Sequence, residues 1–384
     1  MKKPSDNILI AGSPARYPDL RYATGFFSFD PVVFFKTGQR QFLIVSPLDF
    51  GHVRRLATAQ AKIAGGTVKN MTVLSSSDFP VAKDSKTPAC DRIIGLLRGK
   101  NIRSLAVPSY FPVGLAKQLT GKGVAVTVAE GPVFPEREIK TAKEIQAIIH
   151  AQKAAVRAMD AAVAMIAGAR ITGARSLAIG KKPLTSEAVR DRIDEVARDF
   201  DCVCYGTIVA RGKQAVNPHE TGWGTLKADE PILIDIFPQH IKSGYWGDLT
   251  RTVARGTPPD KIQEMYSAVR DAQRAAILKV KAGVTAEKIH NTAVDLFEKR
   301  GFITGPRRGR NEGFIHGIGH GIGLEIHENP RVAPGGTELN EGNVITVEPG
   351  LYYHDRAGIR IEDTVLVTRN AGRILAQYHY QFII

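Results

Sequence analysis

Cysteine is nearly absent from this chain, which has only Cys90, Cys202 and Cys204. Three thiols do not make a disulfide framework, and a reducing cytoplasm is the expected compartment. Cys202 and Cys204 form a C-x-C pair. On a strand both would face one side, and they read as buried structural thiols rather than metal ligands. Also missing is any run of 18 apolar residues, so no helical membrane span is expected. The opening "MKKPSDNILIAG" turns polar and charged after its two lysines, so no secretory signal is expected. Lys and Arg exceed Asp and Glu by 14, but the surplus is spread out and forms no five-residue basic run. Its densest patch, "GPRRGRNEG" from Gly305 to Gly313, reads as a solvated loop. Neither nucleic acid nor a membrane is therefore an expected partner. No G-x-G-x-x-G register fits the glycines, and neither a P-loop nor a short-period repeat is present.

What remains is a chain of 384 residues, 43% of them hydrophobic, enough for two domains with real cores. The first third predicts mixed α/β structure. "NILIAG", "RSLAVPS" and "VAVTVAEG" read as strands, "PVVFFKTGQRQFLIVSP" as a hairpin, and "ACDRIIGLLRGK" and "PVGLAKQLTGKG" as short helices. From Glu136 the texture changes to an Ala-, Lys- and Glu-rich segment with helical apolar spacing. Pro132 and Pro135 mark a boundary there, giving domains 1–135 and 136–384. A second helix follows Thr185 or Ser186 as N-cap. Strands return in "CVCYGTIVARG", "EPILIDIFP" and "YWGDLTRTVARG". Two further helices span Pro259 to Ala282 and Thr285 to Arg300. Strands close the chain in "GNVITVEPGLYY", "GIRIEDTVLVT" and "RILAQYHYQF". The fold class is mixed α/β (α+β).

Two strand pairs each carry two acids in apolar surroundings. Asp235 and Asp248 lie thirteen positions apart, and Glu348 and Glu362 fourteen. If a hairpin turns each pair back on itself, all four carboxylates reach one spot. Such carboxylates are costly to bury without positive charge and would repel one another. Two divalent cations would cancel four negative charges. Carboxylates with one imidazole suit Mn²⁺, Co²⁺ or Zn²⁺. Between the two acid pairs lies "HGIGHGIGLEIHENP", from His316 to Pro330, with three of the chain's ten histidines among four glycines. The glycines are expected to let the backbone approach the ions and to take positive φ. Each acid taken singly reads more readily as a turn or solvated strand-end residue; the conjunction is what points to metal.

These motifs, "IDI…GDLTRT", "HGIGHGIGLEIHE", "VEPGLYY" and "GIRIEDT", resemble in order those of the pita-bread metallopeptidases, the family of methionine aminopeptidase, aminopeptidase P, prolidase and creatinase. "LRYATGF" in the first third resembles the smaller N-terminal domain of the prolidase and aminopeptidase P branch. The resemblance implies a creatinase/prolidase-like domain followed by a pita-bread catalytic domain, and an enzyme that hydrolyses the bond before proline. It places the metal ligands on Asp235, Asp248, His320, Glu348 and Glu362, whose presence argues against a creatinase-like activity. It places catalytic roles on Glu348 as proton shuttle, His327 as oxyanion stabiliser and His219 beside the leaving group. His316, Arg331 and Arg360 are implied as substrate-binding, Arg331 at the position where prolidases hold a free C-terminal carboxylate; a surface arginine is the alternative. The expected partners are a proline-containing dipeptide or short peptide and a second copy of the chain in a homodimer. The chain departs from the family in the longer spacing of its two aspartates and in Phe237–Pro238, where a glycine usually follows "D-I". That altered turn leaves open another amide hydrolase on the same scaffold, and the net charge leaves open a non-enzymatic binding protein.

Overall fold

The computed structural model describes residues 7–63, 71–307 and 309–384, with the side chains of 59–63 left aside. The chain divides into two compact units, Met1–Pro135 and Glu136–Ile384. In the first, a six-stranded mixed sheet has the spatial order Met71–Ser75, Arg40–Val45, Val32–Thr37, Asn7–Gly12, Ser104–Val107, Ala125–Val128. The predicted hairpin pairs Phe34 with Leu43 and Phe35 with Phe42. Because alternate side chains point to opposite faces, Leu9 and Phe35 enter one core while Ile10 and Phe34 enter the other. Helices therefore cover both faces.

The second unit repeats one plan twice in chain order: a helix pair, then an antiparallel sheet. The helix Ala142–Ala167 starts six residues later than the composition predicts. Residues Pro135–Glu138 form a 3-10 turn, and Thr141 caps the helix in a reciprocal box with Glu144. It packs with Ser186–Arg198, capped by Thr185, on the sheet of Ile208–Arg211, Ile232–Ile236 and Leu249–Val253. The helices Asp260–Ile277 and Ala286–Lys299 pack on a second sheet, ordered Glu328–Val332, Gly319–Gly321, Val344–Val347, Asp363–Val367, Gly372–Ile374.

Some predicted strands change. "CVCYGTIVARG" splits, because Cys202–Cys204 pairs with Pro238–His240 while Ile208–Arg211 pairs with Ile232–Ile236. Cys202 is buried and Cys204 partly so, and burial pushes both thiols up to about 12, so both stay protonated. Of "RILAQYHYQF" only Arg373 and Ile374 lie in a strand, Gly372–Ile374. "GPRRGRNEG" is not a simple loop: Gly305–Arg307 pairs with Arg310–Glu312, and Arg307 faces Glu312 at 3.6 Å. Arg308 lies outside the described residues.

The two sheets of this unit meet at a polar seam. Arg251, 1% exposed, sets Nη2 at 2.8 Å from Asp363 and donates Nη1 to the Glu362 carbonyl at 2.5 Å and Nε to the His379 carbonyl at 3.0 Å. Asp363 also accepts from Tyr380 at 2.7 Å and from Gln273. A buried charge so fully hydrogen-bonded fixes the orientation of the two sheets.

Candidate metal and substrate site

The acid pairs lie where their strands were expected to turn. Ile232–Ile236 and Leu249–Val253 run antiparallel, with Asp235 opposite Thr250 and Ile236 opposite Leu249. In the second sheet Val347 faces Asp363, and Gly350 faces Arg360 in the short ladder beyond it. Glu348 and Glu362 therefore flank the break between two ladders, where neither is flattened into a regular sheet.

Long-range bonds hold these carboxylates. Gln152 clamps the Asp248 backbone: its Nε2 donates to the Asp248 carbonyl and its Oε1 accepts from the Asp248 N–H, both at 2.7 Å. Thr250 donates to Glu362 at 2.8 Å, and Thr346 to Glu348 at 3.1 Å. Gln152, Thr250, Thr346 and Tyr352 are site residues that the sequence reading missed. Gln152 had a signal, a lone amide on the apolar face of a long helix. The others carried none.

His320 faces Glu348 at 3.2 Å and Asp248 at 3.8 Å. Ligand atoms of Asp248, His320 and Glu362 all lie within 4.8 Å of one another. Burial, then the charges of Glu362, Asp235 and Glu348, raise Asp248 well above the usual carboxylate range. Burial, then Glu348 and Asp235, do the same to Glu362. Burial also pushes Glu348 up, but the hydrogen bond and charge of His320, with His316 and Arg360, outweigh it and hold Glu348 at about 2. Asp235 Oδ1 and Glu362 Oε1 are buried with no hydrogen-bond partner among the described residues. Buried carboxylate oxygens are seldom left so. Mutually repelling acids with orphaned oxygens and one imidazole fit hard divalent cations.

Of the two purposes expected of the glycines around the histidines, positive φ is not realised. None of Gly317, Gly319, Gly321 and Gly323 has a positive φ. Instead a Cβ on Gly319 would overlap the Thr346 carbonyl, and one on Gly321 the Asn329 carbonyl. On Gly323 it would overlap the Glu328 carboxylate. Close backbone approach, not left-handed turning, is what they provide.

A cleft of about 760 Å³ opens over these ligands, and His219, His316, His327, Arg331 and Arg360 all line it. The ring of His327 meets that of His320 edge-on at 4.2 Å. Its segment is anchored by Glu328, which takes Arg137 at 2.8 Å and Lys140 at 2.7 Å. His316 Nε2 lies 2.9 Å from the Tyr352 hydroxyl. Arg360 is not a free fork for substrate. Its Nη2 donates to Asp235 at 2.5 Å, its Nη1 to Tyr352 at 2.9 Å and to the Pro218 carbonyl at 3.4 Å, and its Nε to Thr250 at 3.4 Å. It therefore orients Asp235 and the loop bearing His219. Arg331 is the opposite case: it is exposed, and its guanidinium has no partner among the described residues.

The chain matches metallopeptidase family M24 over residues 146–369. It is 31% identical to an Xaa-Pro dipeptidase of Pyrococcus horikoshii over 313 residues, 80% of this chain and 81% of the relative. An Xaa-Pro dipeptidase of Lactobacillus helveticus is 42% identical over 168 residues, 43% of each chain. Among solved structures, a prolidase from Pyrococcus horikoshii superposes with a TM-score of 0.78 at 26% identity, covering 99% of this chain and 96% of that one. An X-Pro aminopeptidase from Thermotoga maritima gives 0.80 at 23% identity, with 99% and 98% covered, and supports the fold alone. Carboxylates and imidazole meeting in one cleft, and a match over more than half its length, lead to one conclusion: the chain belongs to metallopeptidase family M24.

Proposed function

We propose that this chain is an Xaa-Pro dipeptidase that works with two divalent ions, Mn²⁺, Co²⁺ or Zn²⁺. The observation that carries the reading is the convergence of Asp235, Asp248, His320, Glu348 and Glu362 in one cleft, with two carboxylate oxygens buried and orphaned. These five residues would hold the ions. When bound, the ions polarise the scissile carbonyl and lower the pKa of an attacking water.

The chain's own groups do the rest. Glu348 takes the proton from the water and delivers it to the proline nitrogen. His327 donates an N–H to the developing oxyanion; burial, then the neighbouring His320, lower its pKa and keep it neutral near pH 7. His316, steadied by Tyr352, and His219 line the substrate. Arg331 pairs with the free carboxylate of a C-terminal proline, which suits a planar guanidinium. The bond before proline has no N–H and a fixed φ, so a dedicated cleft suits it. In this reading residues 1–135 are the creatinase/prolidase-like domain and 136–384 the pita-bread catalytic domain. The enzyme is a cytoplasmic homodimer, and its basic surplus binds no nucleic acid.

The test is a steady-state assay of the protein loaded with each metal, over X-Pro dipeptides and X-Pro-Y tripeptides. The expected result is a kcat/KM for dipeptides roughly tenfold or more above that for tripeptides. Turnover of no X-Pro bond with any of the three metals overturns the reading.

A further inference from the structure

One side chain in the cleft is not used by the hydrolysis proposed above. Phe237 lies two residues beyond Asp235, just past the end of that strand, and it lines the same cleft. Continuing the register of Ile236 with Leu249 brings Asp248 alongside it on one flank, and Gly247 donates to the Pro238 carbonyl at 2.9 Å just beyond. On the other flank, continuing from Ile208 opposite Asp235, lies Gly206. A Cβ at Gly206 would sit 3.2 Å from Cζ of the Phe237 ring and 3.4 Å from Cε2. The ring therefore lies against the glycine. A larger residue at 206 would require the ring to shift by at least a few tenths of an ångström.

The result is an apolar wall beside the ligands. Ile208 follows Gly206 on the same face, and Ile315, 37% exposed, and half-buried Ile326 line the same cleft. Arg331 stands on the other sheet of this unit, in Glu328–Val332. Arg331 and this wall line one cleft, so a dipeptide whose proline carboxylate pairs with Arg331 would have the wall within reach of the side chain before proline. An apolar side chain on that residue would cover the half-buried ring and the isoleucines; a charged one would lose its water against them.

We propose that Phe237, seated on Gly206, is a specificity-determining residue that selects an apolar side chain on the residue preceding proline. The proposal rests on the Xaa-Pro reading. Its test measures kcat and KM for Leu-Pro, Phe-Pro, Gly-Pro and Asp-Pro with the metal-loaded wild type, Phe237→Ala, Phe237→Leu and Gly206→Ala. Wild type is expected to favour Leu-Pro and Phe-Pro over Gly-Pro by roughly tenfold and over Asp-Pro by more. Phe237→Ala should bring the Leu-Pro to Gly-Pro ratio close to one, mainly through KM. Phe237→Leu should keep most of it, and Gly206→Ala should lower it by displacing the ring. A ratio unchanged or increased in Phe237→Ala overturns the proposal and leaves the Xaa-Pro reading standing. Equal losses on all four dipeptides that Phe237→Leu does not rescue also overturn it, since the ring would then be structural. A wild type that cleaves none of the four but cleaves other X-Pro dipeptides overturns the proposal alone; one that cleaves no X-Pro bond overturns both.

Discussion

Arg331 and Arg360 line the same cleft in opposite circumstances. Arg360 is 4% exposed and its nitrogens are taken up by protein acceptors, whereas Arg331 is exposed and its guanidinium has no partner among the described residues. Of these two arginines, Arg331 is the one with donors to offer a ligand. A charge-assisted contact to a proline carboxylate is worth about 1.5–3 kcal/mol. Arg331→Ala is accordingly expected to lower kcat/KM on dipeptides by roughly ten- to a hundredfold and on tripeptides very little. Equal losses on both would assign Arg331 to the fold or the metal site instead. Asp248 allows a second prediction. Its raised pKa arises from burial and three neighbouring carboxylates, a repulsion that bound cations would relieve. Asp248→Ala, dialysed beside wild type and analysed for Mn²⁺, Co²⁺ and Zn²⁺, should retain markedly less metal. Unchanged metal content would remove Asp248 from the ligand set.

At the scale of elements, the strand Gly319–Gly321 shows why glycine and histidine alternate. It pairs with Glu328–Val332 on one side and Val344–Val347 on the other, with an irregular register between Gly319 and Gly321. That squeeze brings the His320 N–H to 3.1 Å from Thr346, whose hydroxyl also reaches Glu348. A methyl on Gly319 would collide with the Thr346 carbonyl and spread this arrangement. Overpacking of this kind costs about 1–3 kcal/mol. Gly319→Ala should therefore lower Tm by roughly 2–10 °C and weaken metal retention along with it. A calorimetric scan indistinguishable from wild type would show that the strands can part without cost.

At the scale of the whole molecule, pH should act on stability through the histidines as well as the acids. His290, 7% exposed, stacks on Phe314 at 5.0 Å, and its Nδ1 has no partner among the described residues. Burial first, then the like charge of His316, lowers its pKa below 6.5, against a smaller opposing effect of Glu287. Below pH 6.5 the unfolded chain binds a proton at this residue that the folded chain resists. Stability from this source is thus complete above that pH and is lost as pH falls toward the folded-state value. Melts of wild type and His290→Phe from pH 7.5 to 5 should show a shallower fall of Tm in the variant. His316 and His327 are depressed in the same way and will leave part of the slope. Parallel profiles would mean that His290 titrates alike in both states.

The sequence by itself determined whatever depends on neighbours along the chain. Thr141 with Glu144, Thr185 and Thr285 start helices because a cap bonds within its own first turn. The acid pairs were legible because a carboxylate inside an apolar strand is conspicuous wherever it ends up. Tertiary structure alone decided what crosses between distant segments. Gln152 grips a backbone 96 residues away, and Arg360 reaches Asp235 across 125. Gly319 and Gly321 were expected to take positive φ and instead are points of contact with carbonyls on neighbouring strands. Phe237 looked like an altered turn until Gly206 was seen beneath its ring. A residue's type states what it can bond; only the packing of strands far apart in sequence determines which partner comes within the few ångströms over which such bonds act.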